Sequence, residues 1–144
     1  MKKILGVILV GGMIMSSLTG NAEAAKQGEI KKPVKVVQTA GRDVLGDFAP
    51  DFARYNDDIL FGEVWSRNDK LSLHDRSLVT VSTLIGSGII DSSLKYHIQS
   101  AKNHGVTQTE MVEAITQIGF YAGWPKAWAA FRMAKEVYSE PAKK

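Results

Sequence analysis

The 144-residue chain contains no cysteine. That absence removes disulfides, thiol catalysis, cysteine-ligated metal sites and lipid attachment through cysteine in one step. Long apolar runs are nearly as scarce. The run from Ile4 to Met15 is shorter than the roughly 20 residues a bilayer-spanning helix needs. No segment alternates with period two for long enough to make a convincing strand, and no internal repeat is evident. A basic stripe with interleaved aromatics is also missing, which argues against nucleic acid as a partner; Lys26, Lys31, Lys32 and Lys35 read as a solvated arm. The formal charge of +3 includes Lys2 and Lys3, which belong to a segment expected to be removed, so the remaining chain is close to neutral.

What is present begins with the three parts of a secretory signal. Met1-Lys2-Lys3 precedes the apolar run, and small and polar residues follow, ending in Ala22-Glu23-Ala24. The pattern predicts cleavage after Ala24, a signal peptide over 1–24, and a periplasmic or secreted protein with no membrane attachment after processing. Residues 25–41 are polar and lysine-rich without sustained periodicity, an arm expected to be mobile unless a partner subunit holds it. With 44% apolar residues, the rest has room for one domain with a real core, over 42–138, and a polar tail at 139–144.

The domain reads as all-α, with about five to six helices. Its organising stretch is Asp91 to Ala134. Asp91 is placed to cap a helix with Leu94, Ile98 and Ala101 inward, ending at Asn103-His104-Gly105. Thr107 and Glu110 have the spacing of a capping box for a second helix, which carries Met111, Ile115, Ile118 and Ala122 inward and stops at Gly123. Pro125 opens a third, where a missing N–H costs least. Upstream, Arg42 to Asp47 suits a short helical turn. Asp51 is placed to cap a helix from Phe52 to about Trp65 whose apolar positions are Phe52, Tyr55 and Ile59, then Glu63. Ser72 with Asp75 opens a helix with Leu73, Leu78, Val81, Leu84 and Ile85 inward, ending at Gly86-Ser87-Gly88.

Three ionisable residues on or beside inward faces carry the chemical signal. Glu63 falls where the pattern asks for a hydrophobe; it either sits at a helix end that reaches water or is buried with a partner, since an unpaired buried charge costs several kcal/mol. His97 lies within an inward stripe and is either a satisfied core histidine or a proton-transfer group. Arg76 is either a salt bridge, with Asp75 or Glu63, or a carboxylate anchor. Together they divide the labour of an active site: an arginine to hold a carboxylate and a His/Glu pair to move a proton. Metal is not expected. His97 and His104 are seven residues apart, about 10 Å along a helix axis at 1.5 Å per residue. His74, on another helix near Arg76, leaves only a site assembled in three dimensions, and His104 reads as a C-terminal residue that complements the helix dipole. Of the tryptophans, Trp124 between Gly123 and Pro125 is the one placed to line a pocket.

The motifs Leu94-x-x-His97, Ala101, Gly105-Val106-Thr107, Glu110, Glu113, Gln117, Tyr121-x-Gly123-x-Pro125, Phe131 and Ala134 resemble the core pattern of carboxymuconolactone decarboxylase-like proteins. Val44-Leu45-Gly46-Asp47, Phe61-Gly62-Glu63-Val64-Trp65-x-Arg67 and Asp75-Arg76-Ser77-Leu78 resemble the segments before that core in the γ-carboxymuconolactone decarboxylase branch. The resemblance spans 42 to 138. It implies an all-helical fold in a homo-oligomer, commonly a trimer or hexamer, with sites at or near subunit boundaries. It also implies a cofactor-free decarboxylase acting on a small carboxylated lactone or enolisable acid. The peroxidase-related members of this family need a Cys-x-x-Cys pair, which this chain lacks. By resemblance Glu63, Arg76 and His97 match positions of the family's site; from the chemistry of the side chains we assign Arg76 to carboxylate binding, His97 to proton delivery and Glu63 to orienting or charging His97. A non-catalytic oligomeric binding protein of the same fold is the alternative, and a purely structural assembly module a third reading.

Overall fold

The computed structural model describes residues 32–139; the expected signal segment and polar tail lie outside them, apart from Ser139. Among the described residues all regular structure is helical: α1 (Ala40–Leu45), α2 (Pro50–Arg54), a π-helical segment (Tyr55–Trp65), α3 (Leu73–Ser87), α4 (Ser92–Asn103), α5 (Gln108–Ala122) and α6 (Trp124–Ser139). The all-α expectation is met.

The last four helices form a bundle. α3 packs on α4 and α5, and α6 on α4 and α5, around Val81, Ile85, Leu94, Ile98, Ala101, Val106, Met111, Ile115, Ala127, Ala130, Ala134 and Val137. The helix boundaries follow the local chemistry of the sequence. Ser72 accepts from the Asp75 N–H to start α3, and Gly88, at φ 81°, closes it in the left-handed conformation that a residue without Cβ adopts freely. Asp91 caps α4 through the Ser93 N–H. Thr107 and Glu110 form a complete capping box at the start of α5. Small residues let α5 and α6 approach closely: a Cβ on Gly119 would lie 2.9 Å from the Trp124 ring and 3.2 Å from Ala127.

The first half differs from expectation. Asp51 caps nothing, because α2 begins one residue earlier with Pro50 at N1, where its absent N–H is harmless. Beyond Arg54 the chain widens into the π winding, and a period of 3.6 residues no longer tells which side faces in. The inward residues are Ala53, Asp57 and Trp65, with Phe61 partly buried; Phe52, Tyr55, Ile59 and Glu63 are exposed. The carboxylate in the interior is therefore Asp57, not Glu63. Its face is selected by demand for an acceptor: Asp57 takes the N–H groups of Gly41 (2.9 Å) and Arg42 (3.0 Å) at the start of α1, which has no side-chain cap of its own.

The described part of the arm is fastened to its own chain. Asn68 brackets Val34, accepting its N–H at 2.9 Å and donating to its carbonyl at 2.6 Å. Ser66 Oγ accepts from Val36 N–H at 2.8 Å, and Gln38 Nε2 donates to the Tyr96 hydroxyl at 3.0 Å.

Candidate functional site

His97 sits at the edge of the α4 stripe whose members Leu94, Ile98 and Ala101 are buried. The register brings its imidazole half-buried into a cleft of about 290 Å³, lined also by Gln38, Asn56, Phe61, Trp65, Thr80 and Tyr96. That volume is at the small end of ligand pockets, roughly 300–1,000 Å³. Burial pushes the His97 pKa below its ordinary 6.5, so the free protein holds it as the neutral imidazole near pH 7. Tyr96 meets the ring edge-on, with centroids 5.1 Å apart. Neither nitrogen of His97 has a hydrogen-bond partner among the described residues, and neither is sealed from solvent. It is not a satisfied core histidine.

The other two members of the trio stand apart. Glu63 is exposed and borders an adjoining cleft of about 350 Å³ with Lys35, Val37, Gln38, Asp57 and Asp58. The two clefts share Gln38 as a wall. Arg76 reaches neither Asp75 nor Glu63. Its Nη2 donates to the Arg67 carbonyl at 3.3 Å, a long bond, and its Nε is buried without a partner. No hydrogen bond or ion pair joins any two of Glu63, Arg76 and His97 among the described residues. Trp124 lines a third, almost wholly apolar groove of about 330 Å³ with Thr116, Ala127, Trp128 and Phe131.

The remaining histidines have structural partners. His104 is not a charged complement to the α4 dipole: burial lowers its pKa, its Nδ1 lies 2.8 Å from Ser77 Oγ, and its ring packs 5.8 Å from that of Trp65. Since Ser77 gives its hydroxyl proton to the Leu73 carbonyl at 2.7 Å, Nδ1 is the donor of that pair. His74 lies between two carboxylates, Asp75 at 2.8 Å and Glu110 at 3.3 Å, which raise its pKa in that order of importance. Glu110 in turn is lowered to about 2, first by the Thr107 N–H and hydroxyl of the capping box and then by His74. No group of three or more His, Asp or Glu among the described residues is arranged to hold a metal ion.

Sequence reasoning passed over Asp57, Gln38 and Tyr96. For Asp57, burial alone would raise the carboxyl; the Asn56 amide, the Arg42 and Gly41 N–H groups and the Arg42 guanidinium outweigh it and hold the pKa below the usual value. Tyr96 lay off the inward stripe, and its one local signal was adjacency to His97. Nothing local marked Gln38, which meets Tyr96 across 58 residues.

The family model described as carboxymuconolactone decarboxylase family matches residues 50–136, a span that contains Glu63, Arg76, His97 and Trp124 but not the arm. The 4-carboxymuconolactone decarboxylase of Acinetobacter baylyi is 39% identical over 118 residues, covering 80% of this chain and 87% of that protein.

Proposed function

Because the chain belongs to the carboxymuconolactone decarboxylase family, we propose that it is a cofactor-free lyase that removes carbon dioxide from a small carboxylated lactone or enolisable acid bound in the His97 cleft. The observation that carries this reading is the half-buried imidazole with no protein partner in a ligand-sized cleft. In a substrate whose carboxylate is conjugated through a double bond to a lactone carbonyl, loss of carbon dioxide leaves a dienolate, and the substrate itself is the electron sink. Reprotonation at carbon completes the reaction. The lowered pKa of free His97 suits this sequence, since an arriving anion favours the imidazolium and the proton is loaded when it is needed.

Arg76 binds the departing carboxylate in this reading. Its Nε has no acceptor among the described residues, and a carboxylate that met the guanidinium would supply one in two-pronged form. Arg76 does not line the His97 cleft of the single chain, so this contact depends on the assembled site. Glu63 orients and charges His97, a role that requires closer approach than one chain provides. The reading therefore includes a homo-oligomer, trimer or hexamer, with sites at subunit boundaries. The aromatic face of α5 and α6 supports assembly: Phe120, Tyr121 and Trp128 are 76%, 86% and 61% exposed. Trp124, on the same face, contributes a wall for the apolar part of a ligand.

Export to the periplasm or medium is part of the proposal, supported by the signal pattern of residues 1–24. An exported enzyme would act on what reaches the envelope or medium, so the substrate is proposed as a class and not as the compound in the Acinetobacter relative's name. The deciding assay is carbon dioxide release from 4-carboxymuconolactone and a panel of lactones and enolisable acids, with the intact mass of envelope or medium protein giving the mature N-terminus. Absence of turnover across the panel would sink the lyase reading, and a full-length mass in the membrane fraction would sink export. A non-catalytic oligomeric binding protein is the second reading, favoured by the lack of contact among Glu63, Arg76 and His97; saturable binding without product selects it.

A further inference from the structure

We propose that Tyr96 donates a hydrogen bond to the carbonyl oxygen of the substrate in the His97 cleft, and that Gln38 of the arm is the residue that positions it. The chemistry rests on the decarboxylase reading; the geometry rests on an inventory of donors and acceptors. Gln38 Oε1 accepts from the backbone N–H groups of Thr39 (3.0 Å) and Ala40 (3.2 Å). Those groups only donate, so the carbonyl end of the amide must face them, and its NH₂ end is fixed toward Tyr96.

That NH₂ donates to the Tyr96 oxygen at 3.0 Å. A phenol oxygen that accepts here keeps its own proton to give, and no acceptor among the described residues takes it. The neighbouring side-chain hydroxyl is already spent. Thr80 spends its hydroxyl proton on the Arg76 carbonyl at 2.9 Å, so Tyr96 is the O–H donor of the cleft lining, beside the second amide N–H of Asn56 and the indole N–H of Trp65. Tyr96 and His97 line the same cleft, which therefore carries a held O–H donor beside a proton-transfer imidazole.

The pairing matches the electron flow of the reaction. When the bond to the carboxylate breaks and carbon dioxide leaves, the bonding pair moves through the double bond onto the lactone carbonyl oxygen, where negative charge develops. A donor already held in position stabilises that charge without reorganising. His97 then gives its proton to carbon, the electron pair returns from oxygen, and the imidazole recovers a proton from solvent. Tyr96 keeps its own proton throughout.

Two variants isolate the donor. Tyr96→Phe deletes it. Gln38→Glu still accepts from Thr39 and Ala40 but presents a second acceptor to Tyr96, so the phenol proton turns away from the cleft while the phenol stays. Each is measured for kcat and KM in carbon dioxide release from 4-carboxymuconolactone, for binding of tetronate, a stable lactone enolate, and for melting temperature. The expected result is a fall in kcat of about 10²-fold in both, with KM within about threefold. Tetronate binding weakens about tenfold, and the melting temperature stays put. If the wild-type protein turns nothing over, the decarboxylase reading fails by itself and tetronate decides: selective weakening in both variants upholds Tyr96 as the donor. Equal tetronate binding by all three proteins, no binding by the wild type, unchanged kcat in an active enzyme, or a kcat loss that tracks a lowered melting temperature each overturns it.

Discussion

The backbone of Gly41 lies against Asp57 so closely that a Cβ on Gly41 would stand 2.7 Å from Asp57 Oδ1 and 2.8 Å from the Ala53 carbonyl. Both neighbours are fixed, the carboxylate by its hydrogen bonds and the carbonyl by its helix. Gly41→Ala is therefore expected to destabilise the fold by about 1–3 kcal/mol, the usual cost of overpacking, read from urea denaturation. Asp57→Asn turns an amide toward N–H donors and should lower the melting temperature by several degrees. Stability unchanged in both variants would mean that α1 does not depend on this pin.

His97→Gln retains size and hydrogen-bonding capacity, so the fold should persist while turnover falls by about 10²-fold or more, the scale of general acid–base catalysis. Arg76→Lys keeps charge but loses the planar fork, and its effect should fall mainly on KM. If His97→Gln lowers the melting temperature and leaves turnover intact, His97 is structural and the catalytic role is lost.

The histidines give stability a pH dependence of two opposing signs. Burial lowers His97 and His104 below 6.5; each therefore contributes stability that is full above its unfolded pKa and lost as pH falls through the lowered folded value. His74 is raised above 6.5 by Asp75 and Glu110, so its contribution is full below the unfolded pKa and lost as pH rises through the folded one. His104→Gln should flatten the acid side of a urea-midpoint profile, between about pH 7 and pH 5. His74→Gln should remove a decline on the alkaline side. Profiles that both variants leave untouched would assign the slope to other groups.

Assembly is checked by light scattering. If the face bearing Phe120, Tyr121 and Trp128 joins copies of the chain, Trp128→Glu should weaken association at least about tenfold and shift the mass toward the monomer at micromolar concentration. A variant with the wild-type mass excludes this face from the interface.

The bundle was legible because its signals are local. Asp91, Thr107 with Glu110, Gly88 and Gly123 each set a boundary through bonds to residues two to four positions away, Pro125 marks the first turn of α6 by having no N–H to satisfy, and the buried residues of α3 to α6 follow the period of an ordinary helix. The first half was misread because its inward face depends on a π winding and on the unmet N–H groups of α1, neither visible in a 3.6-residue pattern. The candidate site was legible where it lies on one stripe, at His97. Its polar wall escaped notice because Gln38 and Tyr96 meet through tertiary structure alone.

The ties that hold the arm also build the cleft from distant parts of the chain. The arm closes over 30 residues at Val36–Ser66, 34 at Val34–Asn68 and 58 at Gln38–Tyr96, the last longer than the 41 residues spanned by Lys95–Glu136 or the 40 by Lys126–Gly86 in the bundle. Long closures cost more entropy and find their contacts later. The Gln38–Tyr96 contact, the longest of these closures, is therefore expected to form late, so that the His97 cleft gains this wall after the bundle has packed. A polypeptide nicked between Gln38 and Gly41 is expected to keep its four packed helices while its cleft loses that wall, which would make foldedness and competence separable properties of the same chain.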